Sequence, residues 1–396
     1  MLTYNRETDF EDCEKLILSC ATVREDANRL KLATLLRLRA HPSGSASFAQ
    51  ALITWARTHD PSTLVTYAQA DGNKTTLENL ARRLYGFVGM MMATDIVAVD
   101  GIKSVRPIAY SEARNYALAM NKSQFSDTAK GVSVNLVCVD HSTLGYLSPF
   151  YHGQELNYQM KSERDFLDLT SKILDFSIPE SSRRRFRLQD SNDIGGILRE
   201  LFANTHDHSR TDIDGRPWRK SVRGIHTAHH MIRVDRIAES SKGLPSLRRY
   251  LEAHGEGVQD ENIQFLELSV FDSGPGFAAR MLRAKIDENV SLEREYEAVN
   301  KCFIKHVSSK PRKTDGLGLF RTLGLLKANG GFLRLRTGRL SLYKAFDPNP
   351  SRTISELNDD DVLMRDAITG SDSLTLRAAA EGALVSIFMP VGGVQR

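Results

Sequence analysis

The sequence predicts an α+β protein in two parts, and three observations carry that reading. Helix-like and strand-like patterns alternate over residues 1–175. Pro179 and the Ser181-Ser182 pair then interrupt the pattern, as turn and linker residues do. Beyond them, strand patterns at 266–272, 332–336 and 382–390 are interleaved with helical ones. We therefore place an N-terminal α/β domain at 1–178, which carries no catalytic motif and whose role stays open between sensing, partner binding and dimerisation, and a second domain at 179–396.

Within the first part, leucines and isoleucines recur among charges over 10–40 with no Gly or Pro, which predicts one helix. His41-Pro42-Ser43-Gly44 breaks it, and a second helix is expected at 47–57. A short strand is expected at 64–67, then a turn at Asp71-Gly72-Asn73. A helix capped by Thr75 or Thr76 should run to Met92. Strands are expected at 96–99 and 105–109, and a helix at 111–120. The run VSVNLVCV at 132–139 predicts a buried strand, and 162–174 an amphipathic helix. The polar, turn-rich stretch 343–374, with Asp347-Pro348-Asn349-Pro350 and Asp359-Asp360-Asp361, predicts a long excursion between two strands.

Bulk composition narrows the class. With 41% hydrophobic and 26% charged residues, the 396-residue chain can build a sizeable core. A net charge of +4 does not support a nucleic-acid binder. The basic clusters Arg183, Arg184, Arg185, Arg187 and Arg216, Arg219, Lys220, Arg223 are read as solvated surface or phosphate-side charge. Cys13, Cys20, Cys138 and Cys302 form no CxxC pair, so reduced thiols are expected. The most apolar stretch, 84–93, is far shorter than the ~20 residues that cross a bilayer. The acidic N-terminus lacks a signal-peptide core, so a cytoplasmic protein is expected.

Four segments of the second part suggest chemistry. In ELFANTHDH, Glu200 and Asn204 are four apart and share one helix face, with Asp207 close to it. An amide oxygen there can ligate magnesium, and a carboxylate can take a proton from water. In LELSVFDSGPGF an apolar strand ends at Asp272, followed by Gly274 and Gly276. Such a carboxylate can accept a hydrogen bond from an adenine amine while glycines let the backbone pass close. In TDGLGLFRTLGLLKANGGF, Gly316 and Gly318 open a helix, where amides and the helix dipole suit phosphate. GALVSIFMP at 382–390 reads as a closing strand ended by proline. The histidine-rich run HTAHH puts His226 and His230 four apart, as two metal ligands on a helix would be. No HExxH accompanies it, so a structural role is expected. His208 is expected to support the helix that carries Asn204.

Taken together, the order and spacing of these segments resemble the Bergerat-fold (GHKL) ATPases, the histidine kinase-like ATPase domain, over residues 180–393. The resemblance implies a C-terminal Bergerat-type α/β sandwich, a mixed sheet covered by helices, that binds ATP and Mg2+. It implies Asn204 as the magnesium ligand, Glu200 as general base, and Asp207 beside them. Asp272 would hold the adenine, with Gly274 and Gly276 along it. Gly316, Leu317 and Gly318 would cradle the phosphates. A lid at 278–315 would carry Lys310, Arg312 and Lys313 to the phosphates. Two departures stand out: Ala383 follows Gly382 where relatives have threonine, and no phosphoacceptor-histidine helix lies upstream. The implied function is an ATPase whose closing lid switches binding to a partner protein or a second copy, with no membrane role. The alternatives are a histidine or serine protein kinase acting on a partner protein, and an ATP-binding module without turnover.

Overall fold

The N-terminal alternation folds as a parallel sheet backed by helices. We describe a computed structural model of the chain, covering residues 1–22, 25–71, 74–129, 131–153, 157–183, 188–256, 261–304, 318–347 and 357–391. Strand β1 (Leu2–Tyr4), helix α1 (Phe10–Ala21), β2 (Arg29–Leu32), α2 (Gly44–Thr58) and β3 (Thr63–Val65) follow in turn. Helices α3 (Lys74–Ala81) and α4 (Leu84–Met92) then lead to β4 (Asp95–Val97). The four strands are parallel and lie in chain order β1-β2-β3-β4.

Three expectations change here. The single helix over 10–40 is instead α1, a turn and β2, because Leu30 and Leu32 are needed on the sheet, where both are fully buried. The helix expected to Met92 is two, α3 and α4. Gly86 passes so close to Leu80 that a Cβ there would lie 2.0 Å from its carbonyl oxygen. The strand expected at 105–109 is the start of helix α5 (Arg106–Asn121), with Pro107 in its first turn, where the missing N–H costs nothing.

The chain continues through α6 (Phe125–Thr128), β5 (Ser133–Val139), the small hairpin β6 (Tyr151–His152) and β7 (Gln159–Met160), and α7 (Glu163–Ser177). Ser162 caps α7 by accepting from the Asp165 amide, and Asp165 returns the bond in a capping box. Then come α8 (Glu180–Arg183), α9 (Leu188–His208), β8 (Val222–Arg233), α10 (Ile237–Ser240), α11 (Pro245–Gly255) and β9 (Asn262–Asp272). The last elements are α12 (Phe277–Leu282), α13 (Leu292–Lys301), α14 (Gly318–Ala328), β10 (Phe332–Gly338), β11 (Leu340–Ala345), α15 (Asp359–Val362), β12 (Arg365–Asp366) and β13 (Ala380–Pro390). The excursion expected over 343–374 falls between β11 and β13 and holds α15 and β12; its residues 348–356 lie outside the described set.

Seven strands form one antiparallel sheet in the order β12-β11-β10-β13-β9-β8-β5. The fold of the described residues is thus mixed α and β, with a parallel four-stranded sheet, an antiparallel seven-stranded sheet and the two-stranded β6-β7 hairpin. The large sheet runs across the boundary expected at 178/179, because β5, from the N-terminal side, pairs with β8 along its whole length.

Side chains alternate between the faces of a strand, so the sheet offers two unlike surfaces. Leu268, Val270, Leu335, Val385 and Ile387 share one face, against which α9 packs between α7 and α14. Phe150, Phe166 and Phe202 stack there, with Phe150 and Phe202 centroids 3.8 Å apart. The other face carries Ser269, Ser386 and Arg334 towards α2. Helix α2 is covered on almost every side, which its apolar composition suits, and several of the polar groups on it and at its cap are paired. Gln50 donates to the Arg336 carbonyl, and Ser43 Oγ lies 2.7 Å from Ser386 Oγ. Arg334 and Arg336, 1% exposed, meet Glu14 of α1 at 3.5 and 2.9 Å. No helix among the described residues is long and apolar enough to cross a membrane, and the four cysteines are free thiols.

Candidate functional site

Helix α9 carries Glu200 and Asn204 on one face, one turn apart. Glu200 is held by Arg199 at 3.3 Å, with Arg321 of α14 at 4.0 Å. Its carboxylate lies against the first residue of α14: a Cβ on Gly318 would fall 2.3 Å from Glu200 Oε2. The first and third motifs, over a hundred residues apart in sequence, therefore touch. Asn204 Nδ2 is buried and finds no hydrogen-bond partner among the described residues. An orphaned buried amide costs about 1–3 kcal/mol, and such groups call for an explanation. Asp207 is exposed, one turn further on.

The second motif meets the end of α9. Gly274 donates its amide to Asp272 Oδ1 at 2.7 Å, turning the chain just after β9. A Cβ on Gly274 would lie 2.6 Å from the Ser209 Cα, so only glycine lets the loop pass this close. Gly276 has φ +86°, a left-handed conformation, and its Cβ would meet Thr337 Oγ1 at 2.7 Å. Thr337 accepts from the Phe277 amide at 3.2 Å and donates to the Gly382 carbonyl at 3.3 Å. Gly382, with φ +70°, has the Asp272 carbonyl where a Cβ would be.

Register lines up the rest. Arg223, Asp272, Ala383 and Thr337 lie side by side across β8, β9, β13 and β10, on the face that packs against α9. Asp272 is part-buried, and burial pushes its carboxyl up to about 6. The Gly274 and Ala383 amides, Arg57 and Arg223 pull the other way and lose to desolvation. Ala383 brings no hydroxyl to this row, but its register partner on the neighbouring strand, Thr337, does.

Several contributors were not legible in sequence. Arg57, at the end of α2, stacks 3.8 Å over Trp218 and pairs with Glu381 at 3.0 Å, putting an N-terminal cation beside this end of the sheet. Arg280 of α12 donates to the carbonyls of His208, Thr211 and Asp212, tying the loop after Asp272 to the end of α9. Arg223, expected at the surface, is fully buried and bonded to Asp140 at 3.0 Å and Tyr151 Oη at 2.6 Å. Within the expected lid, α13 is pinned by buried Glu295, which accepts from the Arg339 amide and side chain.

Lys310, Arg312, Lys313, Gly316 and Leu317 lie outside the described residues, as does the rest of 305–317. The HTAHH run lies on strand β8, not on a helix, so His226 and His230 are ~13 Å apart at about 3.3 Å per residue and cannot share an ion. Among the described residues no three His, Cys, Asp or Glu side chains converge as a metal cluster. An amide oxygen and a carboxylate on one helix face do suit magnesium, which takes few protein oxygens and completes its shell with phosphate and water. Comparison with known protein families, curated proteins and solved structures finds no match.

Proposed function

We propose that the chain is an ATP-binding protein whose C-terminal half works as a Bergerat-type ATPase, using Mg-ATP to close a lid and switch binding to a partner protein or a second copy. The observation that carries this reading is that Gly318 lies against Glu200 of α9, while Gly274, which donates its amide to Asp272, packs against Ser209 just beyond the end of the same helix, which also carries Asn204. Glu200 and Gly318 are 118 positions apart in sequence, and Ser209 and Gly274 are 65 apart, yet each pair is in contact.

Each residue has a defined part. Asp272 accepts a hydrogen bond from the exocyclic amine of adenine, in a setting dry enough to raise its own pKa. Gly274 and Gly276 keep side chains out of that slot. Asn204 would hold magnesium through its amide oxygen. Bound Mg-ATP supplies the γ-phosphoryl group and the charge that screens the phosphates. Glu200, oriented by Arg199 and set against Gly318, takes a proton from the attacking water.

Calorimetry of the full chain tests the reading: ATP with magnesium should give a saturable heat that Asp272→Asn weakens. No heat with well-folded wild type overturns it. Labelled γ-phosphate separates the outcomes, since release as free phosphate supports the ATPase and transfer to another protein supports a kinase. Glu200→Ala should keep binding and lower turnover by about a hundredfold or more. Turnover at the wild-type rate in that variant would remove Glu200 as the base.

A further inference from the structure

The sheet face opposite Asp272 holds a second constellation. On β8, His226, Ala228 and His230 point towards α2 by strand alternation, and Ala228 pairs in register with Glu267 of β9. Between the two histidines only a methyl group covers the sheet. His41 and Ser45, at the start of α2, stand over this gap, and the result is a cavity of about 280 Å³ lined by all six of these residues.

The polar groups of the cavity are unequally satisfied. Glu267, 1% exposed, has its carboxylate committed: Oε2 lies 2.8 Å from His230 Nε2 and accepts from the Ser43 amide at 2.8 Å, and Oε1 accepts from Ser269 at 2.6 Å. His226 Nδ1 lies 2.7 Å from Asn135 Oδ1. His41 differs from these. It is 8% exposed, and its Nδ1 has no hydrogen-bond partner among the described residues. The backbone has also been bent to bring this end of α2 to the cavity. Ser43 has φ +66°, which is costly for a residue with a Cβ, and it directs its amide at Glu267.

We propose that this cavity is a second ligand site, distinct from the nucleotide site, for a small oxyanion: a compact carboxylate or phosphoryl group. The His41 imidazole, the Ser45 hydroxyl and the first turn of the fifteen-residue α2 offer donors and the positive end of a helix dipole. The single carboxylate of the lining, Glu267, is engaged by the Ser43 amide, the Ser269 hydroxyl and His230 Nε2, so neither of its oxygens is left without a partner to bind an amine. A shared metal ion is disfavoured by the wide spacing of His226 and His230 along the strand.

The test uses the full chain isotope-labelled at the histidine ring carbons, with His41→Gln identifying the His41 resonance. Sodium phosphate and sodium acetate are titrated separately into the tens of millimolar, with sodium chloride at matched ionic strength as control. A saturable shift of the His41 signal, absent with chloride, supports the site, and the anion that saturates first assigns the class. No shift with either anion, or the same shift with chloride, overturns it. Ala228→Leu fills the cavity and should abolish the response. If that variant fails to fold, Ser45→Asp should weaken the response at least tenfold, and an unchanged response in either folded variant also overturns the proposal. Asp272→Asn should leave it unaltered, so failure of the nucleotide reading remains distinguishable from failure of this one.

Discussion

Replacing Asp272 by asparagine should stabilise the protein while weakening its affinity for nucleotide. The reasoning starts from desolvation. The Asp272 carboxyl is raised from 3.8 to about 6 in the folded chain. An acid whose folded pKa is raised destabilises the fold at every pH where the unfolded chain would ionise it. At pH 7 the cost is about two pKa units, or about 3 kcal/mol at 1.36 kcal/mol per unit. Asparagine keeps an oxygen to accept the Gly274 amide but carries no charge to desolvate. Denaturant unfolding without nucleotide should therefore show Asp272→Asn more stable by about 2–3 kcal/mol at pH 7. That advantage should shrink to about 0.5 kcal/mol at pH 4, where the folded wild type holds its proton. In the same protein, ATP affinity should fall by about 1–3 kcal/mol as a charge-assisted hydrogen bond is lost. Calorimetry near pH 6 in buffers of different ionisation heat should show proton release on ATP binding, because the adenine amine favours the ionised carboxylate. A variant that is less stable than wild type at pH 7, or whose advantage grows as pH falls, would refute the argument that burial dominates at this residue.

Three other outcomes follow from the same geometry. Gly276→Ala forces a left-handed residue against Thr337 and should cost about 1–3 kcal/mol in thermal or chemical unfolding, with nucleotide affinity reduced alongside. Gly382→Ala should be worse, beyond about 3 kcal/mol and visible as loss of soluble protein, because its Cβ would collide with the Asp272 backbone as well as strain φ. Glu14→Gln strips the partner from buried Arg334 and Arg336 and should cost about 3–5 kcal/mol at pH 7 by denaturant titration. Burial raises the Glu14 pKa, but Arg336 and Arg334 outweigh it and hold the carboxyl at about 2, below its ordinary 4.5. Its stabilisation is thus complete above pH 4.5 and fades as pH falls towards 2, and the penalty of the substitution should fade over the same window.

What the sequence determined by itself was local. The spacing of Glu200 and Asn204 put them on one helix face, the apolar run ending at Asp272 formed a strand, and Ser162 with Asp165 capped a helix, because each depends only on neighbours within a few residues. The glycines at 274 and 276 were visible as breaks, but what they press against was not. Tertiary structure decided the rest. Leu30 and Leu32 joined a parallel sheet, although their local pattern read as helix, since burial between β1 and β3 outweighs helical periodicity. His226 and His230 became residues of one strand far apart, and Arg223 became the one fully buried member of its basic cluster of Arg216, Arg219, Lys220 and Arg223. The boundary at 178/179 could not disclose that β5 would complete the large sheet. Pairing register, burial and desolvation are set by segments tens to hundreds of residues away, and no short window of sequence contains both partners.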